Sequence, residues 1–299
     1  MRRERDLPVP VHHIVATPPP FDASPYPADI FAGQTVLVTG GGSGMGLAMA
    51  KAFAQGGANV AVMGRSIERA QEGAAQIAAL GVLTRAISCD VRLPDAVAAA
   101  FDEAEDALGP VGLLANNAGA NFPILAENIS PNAWNAVTRI AIDGTFLCSV
   151  EFARRRIAAG QGGAIVNNSA QYIWTGFPGD AHSAAAKTAQ ATMTKKLAAD
   201  WAPYGIRVNA IAAGFFPHEG SVSGRREEGV EPLQNIIPAG RTGSIWEFGW
   251  LSAMTCTPLF GEMTGQVIVQ DGGESLRRSL IMPDFVPPRE RADGPWGWQ

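Results

Sequence analysis

Tyr172 stands fifteen residues ahead of Lys187, and Ser183 lies one helical turn before that lysine. A phenol gives a hydrogen bond or a proton to a reacting oxygen, and an ammonium supplies positive potential. A serine hydroxyl is a far weaker acid than a phenol, so Ser183 can support such a centre but not drive it. The other two tyrosines are poorer candidates: Tyr26 sits in a Pro-rich arm and Tyr204 in the turn "APYGIR". A second chemical signal is "TGGGSGMG" (39–46), with Gly40, Ser43, Gly44, Met45 and Gly46 as candidate cofactor contacts. Glycines there let a backbone turn sharply against a pyrophosphate that rests on a helix N-terminus. A third is "VMGRS" (62–66), where a binder of NAD would carry an acid for the ribose 2′-hydroxyl. This chain has Arg65 and Ser66 instead, and a guanidinium suits a 2′-phosphate, so the expected cofactor is NADP(H). No metal is expected. Cys89, Cys148 and Cys256 are far apart and lie in apolar contexts, and the four histidines have no ligand spacing.

The elements that must position these residues are legible as alternating apolar runs and Ala-rich helical stretches. "TVLVT" (35–39), "NVAVM" (59–63), "LTRAIS" (83–88), "GLLAN" (112–116), "AIVNN" (164–168), "IRVNAI" (206–211) and "QVIVQ" (266–270) are the expected strands. Several are apolar throughout, as parallel strands covered on both faces must be. "GLAMAKAFAQGG" and "AQEGAAQIAALG" have helical spacing and end at glycine. Repeated β–α units of this length predict an α/β fold, a doubly wound Rossmann domain with a seven-stranded parallel sheet, over residues 33–282. Residues 1–32 contain seven prolines and read as an extended arm, and residues 283–299 as a Pro- and Trp-containing tail. Tyr172 directly follows the fifth expected strand, at the carboxyl edge where ligands bind in such sheets.

Composition narrows the function classes. A net charge of −5 argues against a nucleic-acid face, and no apolar run approaches a membrane span. The N-terminal "MRRERD" is a poor targeting signal, so a cytoplasmic protein without membrane partners is expected.

"CDVR" (89–92), "NNAGANF" (116–122), "RVNAIAAG" (207–214) and "DGG" (271–273) follow the glycine loop in order. With them the chain resembles the short-chain dehydrogenase/reductase family over nearly the whole domain. The resemblance implies that Asp90 and Val91 lie at the adenine, and that Asn117, Ala118 and Gly119 flank the cofactor. It implies the same for Gly214 and Phe215 after the sixth strand, and it assigns Lys187 to the nicotinamide ribose.

The family's usual proton relay of Asn, Ser, Tyr and Lys is mostly missing. Lys187 keeps its place, Ser183 fills the Tyr slot, Ala170 the Ser slot and Ala141 the Asn slot. The enoyl-thioester reductases of fatty-acid synthesis put their Tyr seven before the Lys, where this chain has Asp180. The placement of Tyr172, "SAAAK" and "GANF" instead resembles the 2,4-dienoyl-CoA reductases, the mitochondrial type most closely. That likeness implies an acyl-CoA substrate, a homotetramer, and Tyr172 and Asn121 as paired donors to a thioester oxygen. By the same likeness Arg92 contacts substrate. Phe122 is a candidate wall of the acyl channel, and Arg225 a candidate contact to coenzyme A. Two other readings stay open on the sequence: a carbonyl reductase using Tyr172 as acid, and a non-catalytic NADP-binding protein.

Overall fold

The computed structural model describes residues 17–175, 179–219 and 237–276. Its strands are β1 (Thr35–Thr39), β2 (Asn59–Gly64), β3 (Thr84–Ser88), β4 (Val111–Asn116), β5 (Gly163–Ala170), β6 (Ile206–Ala213) and β7 (Val267–Gln270). They form one parallel sheet in the order β3-β2-β1-β4-β5-β6-β7. The order reverses between β1 and β4, and this switch point is where a doubly wound sheet opens a crevice for a ligand.

The helices are α1 (Gly44–Gln55), α2 (Ile67–Ala78), α3 (Pro94–Leu108), α4 (Pro131–Thr138), α5 (Gly144–Ala158), α6 (Ala181–Trp201) and α7 (Ile245–Cys256). The pleat splits each central strand between two apolar layers. In β1, Val36 and Val38 pack with Met49, Phe53 and Phe248 on one face, while Leu37 packs with Phe101, Leu114 and Phe152 on the other. The three cysteines are buried and free, and burial pushes the Cys89 thiol up to about 11, so it stays protonated.

The described part of the N-terminal arm lies on the domain. Phe31 is fully buried beside Phe53, and the Tyr26 hydroxyl donates to the Ala52 carbonyl at 2.5 Å. Aromatic side chains, not the prolines around them, decide where this segment rests. The C-terminal tail with its tryptophans lies outside the described residues.

Two local features aim the site. β5 ends in the short turn Gln171–Trp174, which carries Tyr172 off the carboxyl edge of the sheet. Gln171 donates to the buried Glu274 carboxylate beyond β7, so the turn is clamped from the far side of the sheet. Between α4 and α5 the chain forms one wide π turn, Arg139–Asp143, centred on the buried Ala141.

Candidate active site

The cofactor cradle is built where β1 and β4 end. Thr39 Oγ1 accepts the backbone N–H groups of Asn117 and Ala118, both at 2.9 Å. The Asn117 amide in turn donates to the Thr39 and Gly40 carbonyls and accepts from Asn168 Nδ2 at 2.8 Å. This lattice fixes the glycine loop. Gly44 has φ +52°, and Gly46 packs so closely that a Cβ there would lie 2.2 Å from the Gly40 carbonyl oxygen. Ser43 begins α1 without capping it by its side chain, and the first turn carries no acid. The helix N-terminus therefore offers its N–H groups and positive end to an anion. These residues fit a pyrophosphate. His218 covers the same turn from the end of β6, its ring 2.6 Å from where a Gly44 Cβ would stand.

At the end of β2, Arg65 is exposed, close enough to Asp90 to help hold its carboxyl down. The larger cause is Arg92, whose Nε and Nη2 fork onto Asp90 at 2.8 and 2.5 Å and keep that carboxyl at about 2. Arg92 is thus committed to Asp90. Ser66 is committed too: its hydroxyl caps α2, accepting from the Arg69 N–H, and donates to Glu68 at 2.7 Å. Val91 is buried against Gly144, Gly214 packs on Asp271, and Phe215 lines a small cavity with Arg241 and Asp271. Met45 packs against the core, while Gly119 lies exposed opposite Lys187.

The reacting centre comes from β5, its following turn and α6. Lys187 donates to the Asn168 carbonyl, and Ser169 Oγ holds the Lys187 carbonyl at 3.1 Å. Burial lowers the ammonium to about 8. The Tyr172 hydroxyl meets Ser183 Oγ at 2.7 Å. Burial pushes this phenol up to about 12, the Ser183 hydrogen bond opposes the rise, and nearby Asp180 adds to it. A phenol shifted that way keeps its proton at neutral pH, and either hydroxyl of the pair can be the donor. Asn121 is exposed at the mouth, and its side chain hydrogen-bonds Asp180. Phe122 meets His182 edge-on, with ring centroids 4.7 Å apart. Tyr172, Ser183, Asn121 and Phe122 therefore gather around the start of α6, and Arg225 lies outside the described residues.

A profile of the family described as enoyl-(acyl carrier protein) reductase matches residues 40–275. The chain belongs to the short-chain dehydrogenase/reductase family. Its relatives include a Bacillus subtilis (strain 168) protein named "Probable 2,4-dienoyl-CoA reductase [(2E)-enoyl-CoA-producing]", 38% identical, covering 81% of this chain and 97% of that one. The "Peroxisomal 2,4-dienoyl-CoA reductase [(3E)-enoyl-CoA-producing]" of Rattus norvegicus is 34% identical, covering 82% and 85%. A crystal structure of a short chain dehydrogenase from Bacillus anthracis superposes with a TM-score of 0.74 at 36% identity, covering 83% and 98%. This short-chain dehydrogenase/reductase is an oxidoreductase whose fold implies a nicotinamide cofactor. Among the described residues no helix is long and apolar enough to cross a membrane, and no His, Cys, Asp and Glu group is arranged to hold a metal ion.

Three residues of this short-chain reductase escape a sequence reading. Asp180 and His182 flank the Tyr172–Ser183 pair, and the sequence offers only their closeness to Lys187 as a signal. Glu274 is a third, 103 residues from the Gln171 it binds.

Proposed function

We propose that the protein is an NADPH-dependent reductase of 2,4-dienoyl-CoA thioesters, working in fatty-acid degradation. The observation that carries this reading is the Tyr172 phenol, half-buried, bonded to Ser183 and pushed up to about 12. Carbonyl reduction needs an acidified phenol. Conjugate reduction needs a fixed neutral donor aimed at a thioester oxygen, an oxyanion hole.

The cofactor supplies a hydride when bound. Addition at the far end of the diene drives negative charge onto the thioester oxygen, forming a dienolate on the substrate. Tyr172 and the Asn121 amide are the donors that would receive that charge, and Lys187 would hold the nicotinamide ribose and add positive potential. Protonation of the α-carbon then gives a 3-enoyl-CoA. An apolar depression of about 380 Å³, lined by Ala126, Ile129, Ser130, Pro131, Trp134 and Ala181, adjoins this centre and suits an acyl chain. We assign Phe122 to the wall of the acyl channel. The likeness to the named relatives supports a coenzyme A thioester as substrate. Family likeness is the basis too for expecting a homotetramer, and the N-terminal "MRRERD", a poor targeting signal, for expecting a cytoplasmic protein.

The decisive experiment is a substrate panel. NADPH oxidation is expected with a 2,4-dienoyl-CoA and not with simple ketones; turnover of ketones alone would favour a carbonyl reductase. Arg65→Ala is expected to cut the preference for NADPH over NADH at least tenfold, since a charged hydrogen bond to the 2′-phosphate contributes roughly 1.5–3 kcal/mol. Unchanged kcat/KM for both cofactors would remove Arg65 from the site.

The pH profile gives a further test. Lys187 is an ammonium below about pH 8 and a neutral amine above it. Its positive potential at the oxyanion is therefore present at neutral pH and lost as pH rises. The expected kcat profile falls through about pH 8, and a profile flat well above that value would deny Lys187 an electrostatic role.

A further inference from the structure

Asp180 starts α6 and is 7% exposed, yet its Oδ1 has no hydrogen-bond partner among the described residues. Its carboxyl is instead met by the Asn121 side chain, on the loop that Ile124 N–H ties to the Gly179 carbonyl at 2.9 Å. Two residues on, His182 is fully buried and its Nε2 is likewise unpartnered. The Ser183 N–H donates to His182 Nδ1 at 2.9 Å, which makes Nδ1 an acceptor and leaves the ring proton on Nε2. Buried polar atoms without partners are rare and ask for a reason.

Charge supplies one. An ionised carboxylate between Tyr172 and Asn121 would repel the negative charge those donors are there to collect. A neutral acid would not, and burial pushes the Asp180 carboxyl up toward that form. With one oxygen taken by the Asn121 amide, the acidic hydrogen belongs on Oδ1. One amide carries two N–H groups. Asn121 can therefore hold Asp180 with one and the thioester oxygen with the other. With the thioester oxygen on the same amide, the acid would face the thioester end of the substrate, where C2 lies next to the carbonyl, and C4 would lie farther off.

We propose that Asp180 is the proton donor that completes the reaction, its Oδ1–H protonating C2 of the dienolate held by Tyr172 and Asn121. This rests on the proposed dienoyl-CoA reduction. The hydride brings two electrons to C5 and leaves the negative charge spread over the thioester oxygen, C2 and C4. As the carbonyl re-forms, the electron pair bonds C2 to the proton and the Oδ1–H bond breaks. The C3=C4 double bond remains in the product. His182 Nε2–H is the donor at hand for the new carboxylate, which regains its proton from water once product leaves.

The test uses Asp180→Asn in the full chain, with NADPH and a 2,4-dienoyl-CoA in D₂O. Steady-state kcat is expected to fall roughly 10²-fold, the usual loss for a positioned general acid. Single-turnover NADPH oxidation should stay within about threefold of native by the same assignment, because hydride transfer precedes the lost step. Native protein should place deuterium on one face of C2, and the variant on both. Deuterium on a single face at the native rate in Asp180→Asn would overturn the proposal in favour of water. Should native protein oxidise no NADPH with any dienoyl-CoA, the functional reading itself falls, and this inference with it. A second readout needs neither variant nor turnover. In native protein with carboxyl-labelled aspartate, one protonated aspartic acid is expected at neutral pH by infrared spectroscopy, and a fully ionised set would overturn the proposal.

Discussion

Tyr172→Phe is expected to lower kcat with a 2,4-dienoyl-CoA by 10²–10³-fold, the cost of one oxyanion donor, roughly 3–4 kcal/mol. The ring and its packing survive the change, and only the hydroxyl that meets Ser183 at 2.7 Å is lost. Affinity for NADPH should stay within about twofold, since Lys187 holds its contact to the Asn168 carbonyl without help from the phenol. Ser183→Ala should cost less, because it leaves the Tyr172 donor in place while loosening its aim. Steady-state kinetics on both variants, with a fluorescence titration of NADPH, checks the pattern. Equal losses of cofactor affinity and kcat would mean the tyrosine is structural. Undiminished turnover of ketones by Tyr172→Phe would defeat the mechanism altogether.

Gly46→Ala is the second large effect, and it acts through the backbone. The added methyl would stand 2.2 Å from the Gly40 carbonyl oxygen and 2.4 Å from Asn117 Nδ2. Neither neighbour can give way cheaply. Gly40 N–H is bonded to the Met63 carbonyl at 2.6 Å, and Asn117 is held by Thr39, Gly40 and Asn168. Overpacking of this kind costs about 1–3 kcal/mol. In a domain of this size each kcal/mol lowers Tm by roughly 2–4 °C. Because the same movement dislocates the N–H groups at the start of α1, NADPH affinity should weaken by at least about tenfold, or 1.4 kcal/mol. Gly112→Ala is the control, since its methyl would meet only Gln34 Oε1, at 3.6 Å. A Gly46→Ala protein with native Tm and native NADPH affinity would show that the loop is not a rigid cradle.

The fold lay close to the surface of the sequence. Each strand expected from an apolar run is present, with ends shifted by up to two residues, as where "AIVNN" extends to Gly163–Ala170. Periodicity reports burial on both faces directly, so β1 or β4 needs no tertiary information to be recognised. The glycine loop was equally open, because a run of glycines between a strand and a helix reads as a tight turn before any neighbour is known. Tyr172 was singled out by its place after the fifth strand and by the resemblance its fifteen-residue spacing from Lys187 carries.

The environment of each group was hidden. Asp180 counted in the sequence only as the absence of a tyrosine, yet it is a buried carboxyl bonded to Asn121, 59 residues away. Arg92 read as a substrate contact, and its fork onto Asp90, two residues back, was not legible beside that reading. Tyr26 and Phe31, read as part of an arm, are buried on the domain. The sequence by itself determined the sheet, the cofactor loop and the identity of the hydroxyl and ammonium near the carboxyl edge. Only the tertiary structure decided the surroundings that shift these groups' protonation, the buried setting of Asp180 and the Ser183 partner of Tyr172 among them. Protonation depends on burial and on partners brought together by loops distant in the chain, and no local pattern of residues records either.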